Sequence, residues 1–187
     1  MKKLEIHIDH FAPNPFTDWD CLPTLFSGHR DYCWEGCVMA QGGYNSLAEE
    51  FENRLPNVVS VPVYLYRHGG DTVSTKPFSC PWDSGQLGYM FYTKEQIREN
   101  YGRKRVTKKL QDQVLKNLEA NVELLNTYVR GEVYGFKVID EEGEEVDSCW
   151  GFYGEDYEGI TSYINPDDFP NKDLVEVVKE AFEDIEY

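Results

Sequence analysis

The feature that most constrains the fold is an apolar stripe that runs from Thr107 to about Arg130. Its helical spacing predicts one long helix that buries a single face, and Gly131 ends this helix. The members of the stripe are Leu110, Val114, Leu118, Val122, Leu125 and Val129. A helix with one apolar face packs against another layer of structure, which the rest of the chain has to supply.

Strands that can pair locally supply that layer. LEIHIDH alternates apolar and polar residues, so Leu4, Ile6 and Ile8 share one face of an opening strand. VVSVPVYLYRH, DTVSTKPF and QLGYMFYT are three further strands, and Pro62 predicts an edge or a bulge in the first of them. EVYGFKVID and EEVDSCWGFY flank the turn EEG, which is a strong hairpin signal.

Shorter helices are predicted around these strands, while prolines make FAPNPFTDWDCLP a loop. YNSLAEEFENRL begins at a cap on Asn45 or Ser46, and Thr93 caps KEQIRENYG with Gln96 in a capping box. YEGITSYI and NKDLVEVVKEAFEDIE are helical. We therefore expect an α+β fold, a mostly antiparallel sheet with helices packed on it, in a single domain that spans 1–187.

Chain length and cysteine content set the expected environment. A chain of 187 residues buries about two thirds of its unfolded surface, so it needs no disulfides. No stretch approaches the ~18 apolar residues of a membrane span, and MKKLEIHIDH lacks the apolar run of a signal peptide. An odd number of cysteines favours free thiols and a reducing, cytoplasmic location. These five residues are Cys21, Cys33, Cys37, Cys80 and Cys149.

The net charge of −16 is concentrated near one end of the sequence. From Glu132 to Tyr187 there are eighteen acidic and three basic residues. This excess indicates either a solubilising surface or an acidic face that imitates nucleic acid and occupies the basic groove of a partner. The candidate binding residues are Asp140, Glu141, Glu142, Glu144, Glu145, Asp147, Tyr153, Glu155, Asp156, Tyr157 and Glu158. Tyr153, Tyr157 and Tyr163 are the tyrosines that we expect to be exposed among these acids.

The middle of the chain has the opposite charge. Between Lys94 and Lys109, seven Lys or Arg residues accompany only Glu95 and Glu99. They form either a solvated helix face that pairs with the acidic end or a patch that makes weak nucleic-acid contacts. The candidates for such contacts are Arg103, Lys104, Arg105, Lys108 and Lys109.

The stretch SCPWDSGQLGYMFY concentrates unusual residues just before a buried strand. As a structural turn, it relies on Pro81 for a fixed dihedral, Gly85 for a positive one, and Asp83 and Ser84 for hydrogen bonds to backbone amides, with Trp82 as a lid over the sheet end. The residues of this turn are Pro81, Trp82, Asp83, Ser84 and Gly85. A rigid turn of this kind serves a corner of the core or a binding surface.

A catalytic alternative uses residues around the same turn. His68, Thr72, Ser74, Cys80, Asp83 and Ser84 come together if the two strands pair. Cys80 would then be the nucleophile, His68 its base and Asp83 the group that orients the base. No helix start or glycine-rich oxyanion turn follows Cys80, so we favour the structural interpretation and assign no catalytic residue.

The segment HRDYCWEGC holds the one metal-like pattern. His29, Cys33 and Cys37 are four residues apart and would share a helix face, as zinc ligands can. A fourth ligand is missing unless Asp20 or Cys21 folds back. We therefore expect no metal and no cofactor, with the cysteines structural or incidental.

Three segments of the sequence carry a resemblance to a known family. WDCLPTLFSGHRDY, YLYRHGGDTVSTKPFSCPWDSGQLGYMFYTKEQIRENYG and DSCWGFYG resemble uncharacterised proteins of bacteriophages and mobile elements, chiefly of Firmicutes. The similarity covers Trp19 to Gly154, although Cys21, Cys33 and Cys37 depart from the family pattern. It implies a genetic context and no particular chemistry.

Two functions compete on this reading of the sequence. The first is a non-enzymatic, acidic phage or mobile-element protein that binds and inhibits a host defence nuclease, as anti-CRISPR and antirestriction proteins do. The second is a small cytosolic enzyme or ligand-binding domain that uses a pocket formed by His68, Cys80 and Asp83. A flat acidic face favours the inhibitor, and a deep pocket lined by His68 and Cys80 favours the enzyme.

Overall fold

A computed structural model describes residues 2–20 and 22–185 and confirms the α+β class. The described residues form eight strands: β1 (Lys3–Ile8), β2 (Thr24–Ser27), β3 (Val38–Met39), β4 (Val58–Arg67), β5 (Asp71–Ser74), β6 (Ser84–Thr93), β7 (Val133–Ile139) and β8 (Glu145–Tyr153). The α-helices are α1 (Pro15–Asp18), α2 (Leu47–Arg54), α3 (Lys94–Asn100), α4 (Lys108–Val129), α5 (Tyr157–Thr161) and α6 (Leu174–Glu183). Short 3₁₀ turns lie at Arg30–Tyr32, Gly43–Asn45 and Pro166–Asp168.

The strands form two sheets where the sequence predicted one. Contacts divide the chain into two compact units. The central unit is Asn14–Arg130, and the acidic unit combines Met1–Pro13 with Gly131–Tyr187. Assignment of 1–187 to a single domain stays a prediction. Within the described residues, no helix combines the length and apolar character that a bilayer crossing requires.

The central unit contains a mixed sheet in the order β3-β2-β6-β4-β5, in which only the pairing of β2 with β3 is parallel among the described strands. β4 and β6 pair antiparallel from Val58↔Thr93 to Tyr66↔Ser84. Pro62 lies in β4 ahead of the residues that pair with β5, and the predicted bulge follows it between Val63 and Tyr64.

α4 covers the central sheet with the predicted stripe. Val114, Leu118, Val122 and Leu125 are fully buried in one cluster with apolar residues of β4, β5 and β6. The limits of α4 also agree with the sequence, because Thr107 caps its start. The capping box of α3 is present as well, since Thr93 and Gln96 exchange side-chain and backbone hydrogen bonds.

The acidic unit contains an antiparallel sheet in the order β1-β7-β8. The β7–β8 hairpin was predicted, whereas the pairing of β1 with β7, for example Leu4↔Val138, was not. Leu4, Ile6, Phe136 and Val138 point into a core that also contains apolar residues of α5 and α6.

In the central unit, the proline-rich segment predicted as loop includes the single turn of α1, which starts at the favoured N-terminal proline.

Glu50 ties α2 to the loop that precedes it. Its carboxylate accepts hydrogen bonds from the backbone N–H groups of Gln41 (2.8 Å) and Gly42 (2.6 Å) and from the Ser46 hydroxyl (2.6 Å). Gly42 fits here because a Cβ atom would lie 2.0 Å from Ser46 Oγ. The hydrogen bond from Ser46, followed by those from the two amides, lowers the pKa of Glu50 to about 2.

The lowered pKa of Glu50 predicts a specific acid sensitivity. A carboxyl group whose pKa is lower in the folded than in the unfolded chain stabilises the fold above its ordinary pKa of 4.5, and this contribution is lost as the pH falls toward 2. We expect Glu50→Gln to lower the unfolding midpoint at pH 7 and to flatten its decline between pH 5 and pH 2. Urea denaturation across that range measures both effects. Glu49→Gln is the matched control, and equal changes in both variants would contradict the assigned role of Glu50.

Candidate functional site

The turn before β6 is shorter than the sequence predicted. Pro81, Trp82 and Asp83 form the turn, while Ser84 and Gly85 already belong to β6 and pair with Tyr66 and Leu65. Gly85 is therefore extended and does not have a positive φ. Ser84 donates its hydroxyl hydrogen to the carbonyl oxygen of Cys80, and the Asp83 carbonyl accepts from the N–H of Arg67 at 2.8 Å. These bonds close the turn, and among the described residues no side chain accepts from its amides as predicted for Asp83 and Ser84.

His68, Cys80 and Asp83 do come together, with the carboxylate in the middle. His68 Nδ1 lies 3.3 Å from Asp83 Oδ2, and the Cys80 thiol contacts the same oxygen at 3.5 Å. In an activated thiol the histidine accepts the proton, whereas here the aspartate is the acceptor. This order does not match that of a Cys-His-Asp nucleophile. Thr72 pairs with Tyr66, and Ser74 Oγ accepts from the N–H of Lys76 (3.0 Å), so neither belongs to this contact set.

Trp82 is exposed and is not a lid over the sheet end. Its side chain is 92% accessible, which corrects the expectation that it packs on the core. The reason is that the tight turn points position 82 away from the sheet, while β6 begins two residues later. Trp82 instead lies at the rim of an open cavity.

This open cavity has a volume of about 750 Å³. Residues of three segments line it: the start of α2, the end of β4 and the turn into β6. Leu47 and Leu65 give it apolar walls, and Arg67, Asp83 and Gln86 add polar groups. His68 and Cys80 are absent from its described lining. A cavity with an aromatic rim and mixed charges suits a small polar ligand better than covalent chemistry.

A cluster centred on Arg67 was missed by the sequence reasoning. Arg67 Nε donates to Asp71 Oδ1 at 3.0 Å, and its guanidinium lies 3.4 Å from Asp31 Oδ2 and 5.7 Å from the centre of the Tyr32 ring. The buried Tyr32 hydroxyl donates to Asp71. Burial, followed by this hydrogen bond, raises the pKa of Tyr32 well above its usual value. Arg67 and Asp71 lie four residues apart on either side of the HGG turn, and this spacing of opposite charges was the sequence signal for the ion pair.

The segment HRDYCWEGC does not form a zinc site. Cys33 and Cys37 are joined by a disulfide, which corrects the expectation that they are free thiols and removes both as thiolate ligands. A 3₁₀ turn and Gly36, with φ of 87°, bring the two cysteines together. These turns replace the helix that would have placed His29, Cys33 and Cys37 on one face as zinc ligands. His29 Nδ1 accepts from the N–H of Asp31 at 3.2 Å. Cys80 and Cys149 are free, and Cys21 lies outside the described residues.

The acidic candidates lie in the β7–β8 hairpin, including its turn, and around α5 in the acidic unit. Asp140 Oδ1 accepts from the N–H groups of Glu142 and Glu144, each at 2.9 Å, and these bonds, with that of Glu144 first, lower the pKa of Asp140. Asp156 caps α5 through the N–H of Gly159. The exposed carboxylates are those of Glu141, Glu142, Glu144, Glu145, Asp147, Glu155, Asp156 and Glu158.

The tyrosines of this surface differ in exposure. Tyr163 is 63% accessible, as expected. Tyr157 is half-buried against Phe182, and its hydroxyl donates to Glu155 at 2.5 Å, a bond that raises its pKa. Tyr153 is also half-buried and donates to the carbonyl oxygen of Pro13. Only Tyr163 of the three predicted tyrosines is therefore strongly exposed.

The boundary between the units is also a boundary of charge. The acidic unit has twenty acidic and five basic residues, a net charge of −15, whereas the central unit has fourteen and thirteen, a net charge of −1. Ion pairs within the acidic unit, such as that of Glu145 with Lys137 Nζ at 2.7 Å, offset only part of this charge, because the unit has five basic residues. Folding thus converts an uneven sequence into one nearly neutral unit and one strongly acidic unit.

A groove on the sheet of the acidic unit was also missed. The indole of Trp150 lies on Gly135, because a Cβ atom at Gly135 would be 2.2 Å from that ring. Trp150 is 44% accessible and borders a cavity of about 750 Å³ with His7, Phe11 and Lys137. The glycine in the middle of β7, opposite a tryptophan in β8, was the sequence signal for this aromatic surface.

Comparison with family models, with curated proteins and with solved structures finds no match for this chain. The resemblance to proteins of phages and mobile elements therefore stays a prediction.

The exposure of Trp82 predicts that this residue contributes little to stability. We expect Trp82→Ala to change the free energy of unfolding by less than about 0.5 kcal/mol, because few of its atoms leave water on folding. Leu87→Ala, in the strand that follows, should cost about 2–5 kcal/mol because Leu87 is fully buried. Urea denaturation compares the two variants, and a large loss for Trp82→Ala would restore the lid interpretation.

Proposed function

We propose that this chain is a non-enzymatic inhibitor whose acidic unit binds the basic nucleic-acid groove of a host defence nuclease. The observation that carries the proposal is the net charge of −15 confined to one compact unit. A solubilising surface needs no such segregation, since charge spread over a whole protein prevents association equally well.

The order of the acidic elements supports mimicry of nucleic acid. A mimic has to hold its charges at fixed spacings, because a flexible acidic tail loses conformational entropy on binding. The candidate carboxylates lie on the β7–β8 hairpin and around α5, and Asp140 and Asp156 use their own side chains to fix the backbone there. The surface is thereby preorganised.

The proposal extends to the setting in which this protein acts. If the predicted resemblance to phage and mobile-element proteins holds, the role of the inhibitor is to overcome restriction or CRISPR defence. Inhibition would occur by competition for the groove, with no cofactor and no reaction catalysed by this chain.

A charge-reversal variant tests the acidic surface. Glu142, Glu144 and Asp147 are exposed and are not ion-paired within the described residues. We expect Glu142→Lys, Glu144→Lys and Asp147→Lys together to abolish inhibition of DNA cleavage in assays with restriction endonucleases and Cas9-type effectors that the unmodified protein inhibits. Exposed charges contribute little to stability, so the variant should remain folded. Inhibition should also weaken as salt is raised above 0.1 M, where the Debye length is about 10 Å.

The matched control reverses three charges on the central unit. Asp112, Glu119 and Glu123 are exposed along α4, so Asp112→Lys, Glu119→Lys and Glu123→Lys change the net charge equally. This control should inhibit normally. Equal loss of inhibition in both variants would mean that the total net charge, and not this surface, causes the effect. Full inhibition by the first variant would exclude this surface as the binding site.

A second candidate function, binding of a small polar ligand, is favoured by the exposed Trp82 at the rim of its cavity. An indole kept in water beside Arg67, Asp83 and Gln86 offers a stacking surface with hydrogen-bonding groups around it. This candidate replaces the pocket predicted from His68, Cys80 and Asp83 with a cavity that shares only Asp83 with it in its described lining.

A thermal-shift screen distinguishes this second candidate. Nucleosides, amino acids and polyamines are the probes, and a compound at 100 times its Kd should stabilise the fold by about 2.7 kcal/mol. Trp82→Ala should abolish the shift without lowering the melting temperature of the free protein. A shift that persists in Trp82→Ala, or no shift with any probe, would contradict a ligand site at this cavity.

A further inference from the structure

A basic loop on the central unit is independent of the acidic surface. It comprises the connection from α3 to α4 together with the first two residues of α4, and we define it by Arg103, Lys104, Arg105, Lys108 and Lys109. All five side chains are exposed. Five cations within seven residues repel one another, so their concentration in one loop costs stability unless an anion offsets it.

Apolar residues hold this loop in place on both sides. Tyr101 and Val106 are half-buried and pack against the core beneath α4. Gly102, with φ of 60°, turns the chain out of α3, and the N–H of Arg103 returns to the carbonyl oxygen of Arg98 at 2.9 Å. Thr107 then caps α4. The cations are thus displayed from an ordered backbone.

The protein itself does not neutralise these cations. Within the described residues none of the five forms an ion pair, although Glu99 and Asp112 lie close in sequence. Glu95, on the preceding helix, pairs with Arg98 instead. The charge of the loop is therefore available to an external anion.

A cleft beside the loop has the chemistry of a phosphate site. It has a volume of about 390 Å³ and is lined by Arg103, Arg105, Thr107, Lys109, Leu110 and Gln113. One guanidinium group can donate to two oxygens of a phosphate at once, and ammonium, hydroxyl and amide groups add further donors. The charge of five cations exceeds the charge of one phosphate group, which favours a ligand with several phosphates in a row.

We propose that the basic loop binds the phosphodiester backbone of a nucleic acid. Contacts of this kind go to phosphate oxygens and carry no base specificity. At 0.15 M salt the Debye length is about 8 Å, so a phosphate bound at the loop interacts mainly with charges within about that distance. This inference goes beyond the inhibitor function, because it concerns residues that the acidic surface does not use.

Fluorescence anisotropy with a labelled 20-base-pair DNA duplex tests the proposal. Each phosphate contact contributes about −0.9 to the slope of log K against log salt concentration. We expect the unmodified protein to bind the duplex at 50 mM salt. Arg103→Gln with Lys109→Gln should weaken binding at least about tenfold and reduce the size of the slope by about 1.8. Thermal melting checks that the double variant remains folded.

The control removes the same two residue types elsewhere on the central unit. Arg30 and Lys76 are exposed and form no ion pair within the described residues, so Arg30→Gln with Lys76→Gln should leave both affinity and slope unchanged. No binding by the unmodified protein, or equal loss in both double variants, would overturn the proposal. Binding to inorganic phosphate without binding to the duplex, or equally tight binding to polyglutamate, would overturn it as well.

Discussion

The antiparallel pairing of β4 with β6 is the interaction on which the central unit depends. These two strands form the middle of the five-stranded sheet, in which β2 pairs with β6 on one side and β5 pairs with β4 on the other. The apolar stripe of α4 is buried against the same pair. The turn that carries Trp82 leads directly into β6, and Arg67 ends β4. The cavity beside Trp82 and the cluster around Arg67 are therefore both positioned by one strand pair.

Segregation of charge gives the two units different chemical characters. The carboxylates from Asp140 to Asp147 lie in the turn of the β7–β8 hairpin and at the exposed start of β8, whereas buried residues of β7 such as Phe136 and Val138 belong to the apolar core. The central unit is nearly neutral overall, yet its basic loop is not balanced locally. A single chain thus carries an acidic surface and a basic one on different units.

Local signals predicted much of this fold, and contacts distant in sequence explain what was missed. The capping box at Thr93, the stripe of α4 and the β7–β8 hairpin each depend on residues a few positions apart, which a sequence displays directly. The pairing of β1 with β7 joins segments about 130 residues apart, and no local pattern specifies it. The disulfide between Cys33 and Cys37 and the exposure of Trp82 depend on tight turns, in which a change of one dihedral angle reverses the direction of a side chain.

The discontinuous sheet of the acidic unit has a consequence for biosynthesis. β1 leaves the ribosome before any residue of the central unit, and its partner β7 follows only after Arg130. During that interval the apolar face formed by Leu4 and Ile6 has no sheet to join, while the central unit is continuous and can fold as soon as it emerges. The acidic unit must therefore assemble last, so a chain truncated after Arg130 would carry a complete central unit attached to an unpaired, aggregation-prone strand.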